Sequence, residues 1–436
     1  MRTTPTRALR RSGTAAAALA TLAACGSPGG TTTPAGQLPA FEGRGPITYA
    51  AGKDSTGSVQ AVLERWNKLH PKERVTFIEL PTDPDAQRQQ MIQNSATRSD
   101  AYTVLSLDAV WTSEFAAHRW VDRLPEDEFP LHRMLKPIVE TGKYRGGLYA
   151  LPASSDGGML YYRTDLLQKT GNAAPPVTWA EMKAQCAEVK KLPEARGMAC
   201  YAGQFQKYEG LTVNFAEAVN SAGGVVTDAG GRPRVDSPEA RQGLDFLVGS
   251  IRDGTIAHEA VTYQEEDARR AFQAGKVIFE RQWPYMFPLA SKKDGSSKVA
   301  GKFGVAPLPG FDGPGSSSLG GHNLALSASA RNKATAIDFM KFFAGEEMQR
   351  FTLAFAPAAP TYEALYEDPK LVERYPYLPV LKQSILHAVP RPRVVGYGDV
   401  TAAIQRETYA AMTGDKSSEQ ALKDLQTSLR QQAEDQ

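Results

Sequence analysis

Three short runs, ITYA at 47–50, VTFIEL at 75–80 and VLSLD at 104–108, decide the fold of this chain. Each run is rich in β-branched and apolar residues, which is typical of buried strands. Between the first two runs, apolar residues recur at helical spacing on one face: Val59, Val62, Leu63, Trp66 and Leu69. A second helix is predicted from about Asp85. This pattern predicts a β-α-β-α-β unit, and because ligands collect beyond the carboxyl ends of such strands, Asp108 is a candidate binding residue.

The same alternation of strands and helices continues along the 436-residue chain. Thr178 and Glu181 form a predicted capping box, and Ser237 caps another predicted helix. Residues 263–274 are predicted to be helical and to be followed by a strand at 277–279. We therefore predict the α/β fold class, and since the chain is too long for one compact core, we expect two domains.

The N-terminus has the layout of a secretory signal. Basic residues near the start precede an apolar run that ends at Ala24 and is too short to span a bilayer. The tetrapeptide LAAC, which ends at Cys25, resembles the lipobox of bacterial lipoproteins. We predict a signal peptide at 1–24, a lipid on Cys25 and a flexible tether at 25–44, so that the protein is anchored to the outer face of the cell membrane. An ordinary signal peptide with a chance cysteine is the alternative.

Two further cysteines, Cys186 and Cys200, remain after Cys25 is set aside. An even pair in an exported protein favours a disulfide, which would stabilise the fold by roughly 3 kcal/mol on the chain-entropy model. The alternative is a pair of buried free thiols. The spacing is not the C-x-x-C of redox proteins, so a redox role is not expected.

Composition and motifs exclude several classes of function. A net charge of +2 with 22% charged residues gives no electrostatic reason to expect nucleic acid as a partner. The sequence contains no zinc-protease, serine-hydrolase or phosphate-loop motif, and its histidines lack metal-ligand spacing. We therefore expect no catalytic residues, no metal and no cofactor. A glycosidase with two catalytic carboxylates stays open, because any chain of this length offers many acidic pairs.

The residue types at turns and strand ends are those that bind neutral sugars. Carboxylates accept hydrogen bonds from hydroxyl groups, arginine donates to them, and flat aromatic rings cover apolar C–H faces. The segments around Asp108, Asp156, Glu209, Trp283 and Arg393 supply these types. The sequence therefore indicates binding of a sugar without a nucleophile.

At these segments the chain resembles the family-1 extracellular solute-binding proteins of ABC sugar importers, and among them it is most similar to the trehalose- and maltose-binding lipoproteins. The resemblance covers nearly all of 45–436. The motifs that carry it are VLSLDAVWTSEFA at 104–116, GLYALP at 147–152, LYYRTDL at 160–166, YEGL at 208–211, QWPY at 282–285, GGHN at 320–323 and RPR at 391–393. Each motif alone is weak, and their order behind a lipobox makes the resemblance specific.

The resemblance implies a two-lobed periplasmic-binding-protein fold of type II, whose lobes are joined by hinge strands and close on a ligand. By analogy, the N-lobe takes 45–152 and 312–366. The C-lobe takes 153–311 and 367–436.

The resemblance also implies acidic ligand-binding residues. Asp108 matches a carboxylate at the end of an N-lobe strand, and Asp156 matches an acidic position just after the crossing into the C-lobe. Glu209 matches the acidic position of a C-lobe binding loop, and Asp54 takes the place of an acidic residue in the first loop. The alternatives are a helix cap or turn for Asp108, a plain turn for Asp156 and a surface salt bridge for Glu209.

Aromatic and glycine positions are implied in the same way. Trp283 matches a stacking tryptophan, and Tyr285 follows it; a core position is the alternative for the tryptophan. Gly320, Gly321 and His322 lie where trehalose-type proteins have a Gly-Gly-aromatic turn beside the sugar. His322 replaces the usual tryptophan, which reduces the stacking surface and leaves the identity of the sugar open.

Two arginines complete the predicted ligand-binding set. Arg393 matches a C-lobe arginine of the trehalose group, with a structural ion pair as the alternative. Arg88 is a weaker candidate, with a solvated helix position as its alternative.

The resemblance implies a monomeric receptor for a disaccharide or short oligosaccharide, with trehalose first and maltose-type glucosides next. Its partners would be the small-molecule sugar, the transmembrane subunits of an ABC permease and the membrane that holds its lipid anchor. Two other functions stay open. One is a lipid-anchored cell-wall glycoside hydrolase, and the other is a receptor for a different solute, such as a glycerophosphodiester.

Overall fold

The computed structural model describes residues 41–172, 174–228, 230–355 and 359–434. Residues from Ala40 onward form one compact unit. The predicted signal peptide, the predicted lipid site Cys25 and the tether as far as residue 40 lie outside the described residues. Within the described residues, no helix is both long and apolar enough to cross a bilayer.

Strands and helices alternate along the described chain. The strands are β1 (Ile47–Ala51), β2 (Val75–Glu79), β3 (Val104–Asp108), β4 (Lys143–Tyr144), β5 (Gly147–Leu148), β6 (Ala150–Pro152), β7 (Asp156–Gly157), β8 (Met159–Arg163), β9 (Ala199–Ala202), β10 (Val277–Gln282), β11 (Phe303–Ala306), β12 (Ser318–Gly320), β13 (His322–Leu326) and β14 (Val389–Pro390). The α-helices are α1 (Ser58–Leu69), α2 (Pro84–Ala96), α3 (Thr112–Ala117), α4 (Lys136–Thr141), α5 (Thr164–Lys169), α6 (Trp179–Val189), α7 (Glu209–Ser221), α8 (Pro238–Arg252), α9 (Glu265–Gln273), α10 (Met286–Ala290), α11 (Lys333–Ala344), α12 (Glu346–Phe355), α13 (Glu363–Glu367), α14 (Pro369–Arg374), α15 (Leu378–Leu386), α16 (Tyr397–Thr413) and α17 (Ser418–Glu434). Short 3-10 turns lie at Glu126–Glu128, Leu131–Arg133, Pro193–Ala195 and His258–Thr262.

The first sheet has the strand order β2-β1-β3-β13-β6. β1 pairs in parallel with both β2 and β3, so the predicted β-α-β-α-β unit is confirmed. β13 comes from much later in the chain and inserts antiparallel between β3 and β6. The carboxyl end of β3 therefore lies beside the start of β13.

The second sheet has the strand order β11-β8-β10-β9. β10 runs antiparallel to β8 and parallel to β9. A small third sheet of β14, β12 and β7 joins segments that pass between the two larger sheets. β12 leads through Gly321 into β13, so one continuous stretch connects the third sheet to the first.

Each large sheet has its own apolar core. Helix α1 buries Val62, Leu63 and Trp66 against the first sheet, while Leu69, predicted for the same face, is exposed at the helix end. The core of the second sheet includes Trp179. The molecule is thus built as two α/β lobes, and the exact lobe boundaries stay a prediction.

Local signals in the sequence form as predicted on the second lobe. The side chain of Thr178 accepts from the backbone N–H of Glu181, and the Glu181 carboxylate accepts in return, which completes the capping box of α6. The predicted disulfide is confirmed: Cys186 on α6 is bonded to Cys200 on β9, with their Cα atoms 5.7 Å apart. The bond ties a surface helix to an edge strand of the second sheet.

Candidate ligand-binding site

A cavity of about 390 Å³ lies where the strand ends of the first sheet meet elements of the second lobe. This volume falls in the range of small-molecule sites. The predicted residues that line it are Asp54, Asp108, Asp156, Glu209, Trp283, Tyr285, Gly320, Gly321 and His322. These side chains come from distant parts of the sequence, and the fold brings them together.

The antiparallel pairing of crossing strands sets the relative positions of the two central aspartates. His322 at the start of β13 lies opposite Asp108 at the end of β3. Gly320 on β12 lies opposite Asp156 on β7. The segment that contains both partners, residues 320–322, therefore passes the two carboxylates in succession.

Gly321 sits in this segment with a φ of +112°, a conformation that residues with side chains rarely adopt. A Cβ atom here would lie 2.4 Å from the carbonyl oxygen of Ser154. The backbone is further fixed because Ala109 donates its N–H to the Gly321 carbonyl at 3.0 Å. Only glycine at this position allows the backbone between β12 and β13 to approach the segment that contains Ser154 this closely.

Asp108, Glu209 and Arg391 form an ionic cluster at the cavity. One terminal nitrogen of Arg391 donates to Asp108 Oδ1 at 2.7 Å, and the other donates to Glu209 Oε1. The Arg391 side chain is only 2% exposed. The guanidinium therefore joins a strand end of the first sheet to the first residue of α7, and it balances the buried Glu209 and the partly buried Asp108.

Glu209 has further partners that fix both of its oxygens. The Tyr397 hydroxyl donates to Oε1, and Thr401 Oγ1 donates to Oε2 at 2.7 Å. Burial raises the pKa of Glu209 to about 7, while the positive charge of Arg391 opposes the rise. The carboxylate also lies at the N-terminus of α7, where the helix dipole favours negative charge.

Asp156 differs from the ionic cluster because its carboxylate has no hydrogen-bond partner among the described residues. Burial raises its pKa to about 6, the charge of Asp108 adds to the rise, and His322 opposes it. An unpartnered carboxylate that faces a cavity is available to accept hydrogen bonds from a guest.

Trp283 follows β10 directly and lines the cavity with Tyr285. A Cβ atom on Gly320 would lie 2.9 Å from the indole ring, so the glycine lets the ring pack against the crossing segment. The Tyr285 hydroxyl donates to Glu266 Oε1 at 2.9 Å, which fixes the second ring. Together the two rings give the cavity its aromatic side.

Asp54 lines the cavity and also organises its own loop. Its carboxylate accepts from the backbone N–H of Gln60 at 3.0 Å and from the hydroxyl of Thr56 at 3.3 Å. Its carboxylate thus satisfies a backbone N–H in the first turn of α1, where Gln60 lies. Its capacity for a ligand is reduced but not removed, because each carboxylate oxygen can accept more than one hydrogen bond.

Two predicted ligand residues, Arg88 and Arg393, lie away from the cavity lining and are corrected. Arg88 donates through Nε to Glu114 at 2.7 Å in a buried bidentate pair, which turns its guanidinium into the protein. Arg393 is exposed and donates to the backbone carbonyl of Glu140. Gln87, next to Arg88, lines the cavity instead.

Arg391, two positions before the predicted Arg393, lines the cavity but was not predicted. It lies in the RPR motif, and both arginines of that motif fit the same pattern in sequence. The sequence could not choose between them, because the choice depends on which guanidinium finds the two buried carboxylates. Other lining residues were not predicted: Tyr49, Lys53, Gln87, Trp111, Glu265 and Glu266.

Comparisons with known proteins agree with this fold and cavity. Residues 52–350 match the bacterial extracellular solute-binding protein family. A Deinococcus radiodurans protein, described as a probable ABC transporter-binding protein, is 35% identical over 81% of this chain and 86% of its own length. A mannitol-binding protein of Pseudomonas aeruginosa is 24% identical over 85% of this chain and 88% of its own. The structure of maltose-bound T. maritima MalE3 superposes with a TM-score of 0.83 and 34% identity, covering 88% of this chain and 99% of that one.

The fold and the interlobe cavity define a two-lobed binding protein of the periplasmic type, as the sequence predicted. The chain belongs to the bacterial extracellular solute-binding proteins. The members of this family bind solutes, which agrees with a cavity that contains polar and aromatic side chains. Within the described residues, no group of three or more His, Cys, Asp or Glu side chains is arranged to hold a metal ion.

Proposed function

We propose that this protein is the extracytoplasmic sugar receptor of an ABC importer, with a disaccharide or short oligosaccharide of glucose as its ligand. Trehalose and maltose are the first two candidates. The ligand binds reversibly in the interlobe cavity, and the loaded protein passes it to the transmembrane subunits of a permease. The predicted lipid on Cys25 would hold the receptor at the outer face of the membrane, where it acts as a monomer.

The observation that carries the proposal is the presence of free and fixed carboxylates beside an indole ring in one cavity. Asp156 is free to accept from a hydroxyl group, and Asp108 and Glu209 offer the remaining lone pairs of the ionic cluster. Trp283 offers a flat face for the C–H side of a sugar ring. A neutral polyhydroxylated ring with one apolar face can bind the carboxylates through its hydroxyl groups and the indole ring through its apolar face.

The relatives support this class of ligand. The T. maritima protein that shares 34% identity was solved with maltose bound. The Deinococcus radiodurans relative is described as a transporter-binding protein, which supports a role in import. The mannitol-binding relative is more distant, so a linear polyol is the natural competitor in a binding test.

The arrangement of the carboxylates argues against a hydrolase. A glycosidase needs two carboxyl groups that are free to act on the glycosidic bond, one as the acid and one as the nucleophile or base. Asp156 could supply one of them, since its pKa is raised to about 6 and it lines the cavity. Both oxygens of Glu209 already accept hydrogen bonds, and Asp108 accepts from Arg391 and from the backbone N–H of Val110 at 3.1 Å. We therefore propose that the protein binds its sugar without cleaving it.

Lobe closure is part of the proposal. We assign 45–152 and 312–366 to the N-lobe, and 153–311 and 367–436 to the C-lobe. In support, the first-sheet strands fall within the N-lobe ranges and the second-sheet strands fall within the C-lobe range. Closure of the two lobes on the sugar would present the permease with a surface that the empty protein lacks.

A thermal-shift screen of the purified protein tests the proposal. We expect trehalose or maltose to raise the melting temperature, because a ligand at a hundred times its Kd adds about 2.7 kcal/mol to the free energy of unfolding. Mannitol and a glycerophosphodiester serve as competitors, and chromatography of the recovered sugar checks for cleavage. A shift with a competitor and none with any glucose disaccharide would refute the substrate class, and released glucose would refute the receptor.

A further inference from the structure

The cavity lining contains more acidic than basic side chains, and a neutral ligand does not balance this excess of acidic groups. Among the described lining residues, six are acidic: Asp54, Asp108, Asp156, Glu209, Glu265 and Glu266. The basic residues of the described lining are Lys53, His322 and Arg391. An acidic cavity with an aromatic face is the usual environment for a cationic guest such as a quaternary ammonium ion. Something in the protein must therefore favour an uncharged ring over a cation.

Arg281 provides a positive charge directly behind the aromatic face. Its guanidinium carbon lies 3.8 Å from the centre of the Trp283 ring, and its side chain is 1% exposed. Arg281 is not part of the cavity lining, whereas Trp283 is. The guanidinium occupies one face of the ring, so only the opposite face can take a ligand.

A buried ion pair holds this guanidinium in place. Arg281 donates through Nε to Glu217 Oε2 at 2.8 Å and through Nη2 to Glu217 Oε1 at 2.6 Å. Glu217 also accepts from the backbone N–H of Ser318 at 3.0 Å. A Cβ atom on Gly158 would lie 2.8 Å from both partners of the pair, so the chain packs tightly around it. The arginine has little freedom to move away from the ring.

We propose that Arg281 is a positioning residue that sets the orientation of Trp283 and makes the cavity selective for neutral rather than cationic guests. Arg281, Trp283 and Gly320 form what we call the indole platform. The guanidinium engages the π-system from behind, so a second cation on the front face meets a weakened quadrupole and the positive end of the Arg281–Glu217 ion pair. Dispersion contact with a sugar C–H face does not depend on that quadrupole and is retained. The inference rests on the proposed function in its choice of a neutral sugar as the guest.

The test removes the charge without leaving a buried ion unpaired. The double variant Arg281→Met, Glu217→Gln keeps similar side-chain volumes and takes out both charges. The matched control is Arg163→Met, Asp165→Asn, because Arg163 and Asp165 also form a bidentate pair at the second sheet, at 2.7 and 2.6 Å, and neither lines the cavity. Thermal melting selects the variants that are folded.

Two measurements are made on the folded variants. The first is the emission and acrylamide quenching of Trp283 in the ligand-free protein, obtained by subtracting the spectrum of Trp283→Phe in the same background. The second is the affinity for trehalose and maltose, and for choline as the cationic probe. The first readout needs no ligand, so it decides the positioning role even if no sugar binds.

For the double variant we expect a shifted Trp283 emission, about twofold stronger quenching, about tenfold weaker sugar binding and measurable choline binding. The control double variant should leave the Trp283 emission, its quenching, the sugar affinity and the choline affinity unchanged. Unchanged emission and quenching of Trp283 in a folded double variant would overturn the positioning role. An unchanged preference for sugar over choline would overturn the selectivity. Failure of the wild-type protein to bind any disaccharide would instead refute the proposed function.

Discussion

The ionic cluster and the Trp283 ring of the indole platform line the same cavity, and the two groups are built in opposite ways. The ionic cluster joins three distant segments, since Asp108 ends β3, Glu209 begins α7 and Arg391 follows β14. The indole platform is mostly local, because Arg281 and Trp283 are two residues apart at the end of β10. The cluster therefore depends on how the two lobes sit, while the Arg281–Trp283 part of the platform is formed at the end of one strand before any ligand arrives.

This difference separates stability from affinity. Charges that bridge two lobes contribute to the stability of the folded arrangement, because each buried carboxylate needs its partner. A preformed ring contributes to binding, because its orientation costs nothing when the ligand arrives. The four predictions that follow run from the largest expected effect to the smallest.

Replacing Arg391 should have the largest effect. We expect Arg391→Met to lower the free energy of unfolding by about 3–5 kcal/mol, because it leaves Asp108 and Glu209 buried without their cation. Denaturant unfolding measures the change. The matched control is Arg430→Met, whose pair with Asp236 is exposed and should contribute about 0–1 kcal/mol. Equal, small losses in both variants would mean that the cluster does not stabilise the fold.

Replacing Trp283 should act on affinity. We expect Trp283→Ala to weaken sugar binding by about 2 kcal/mol, or about thirtyfold in Kd, while the protein still melts cooperatively. Titration calorimetry measures the change. Trp120→Ala is the control, because Trp120 stacks on His118 and does not line the cavity. An unchanged Kd for Trp283→Ala would remove the ring from the site.

Replacing Asp156 tests the free carboxylate. We expect Asp156→Asn to weaken sugar binding by about 1.5 kcal/mol, because an amide oxygen accepts a hydroxyl proton less strongly than an ionised oxygen. The fold should be unaffected, since this side chain has no hydrogen-bond partner among the described residues. Competition binding against wild type measures the change, and equal affinities would show that Asp156 does not contact the sugar.

The contribution of Asp156 to the pH dependence of stability should be the smallest of these effects. The pKa of Asp156 is raised to about 6 and that of Glu209 to about 7, so the folded protein takes up protons before the unfolded chain does. The free energy of unfolding should therefore rise as the pH falls from about 7 to about 5, by about 1 kcal/mol for Asp156. Melting curves of the ligand-free protein over this pH range measure the rise in stability. The variant Asp156→Asn should lack the part of the rise that Asp156 contributes. A fall in stability over this range would contradict the raised pKa values.

Local patterns predicted much of the fold. The runs at β1, β2 and β3 formed the parallel unit, and the capping box at Thr178 and the disulfide formed as expected. These features succeed because strand periodicity, helix capping and cysteine pairing each depend on few residues. The insertion of β13 between β3 and β6 has no such local signal, because the pairing joins segments far apart in sequence.

Predicted residues at the ends of strands line the cavity. The two predicted arginines, which have long flexible side chains, do not. Asp108 ends β3 and Trp283 follows β10, so their backbone positions already direct them to the cavity. Arg88 and Arg393 could reach several partners, and they pair with Glu114 and with the Glu140 carbonyl. An arginine is placed by the carboxylate or carbonyl it finds, and only the folded structure fixes that partner.

We propose that the acidic and aromatic sides of one interlobe cavity bind the same neutral sugar. A crystal structure of the protein with trehalose or maltose at saturating concentration tests this directly. We expect a sugar ring with its C–H face on Trp283, opposite Arg281, and hydroxyl groups within hydrogen-bond distance of Asp156. A sugar bound elsewhere on the protein, with this cavity filled only by solvent, would contradict it.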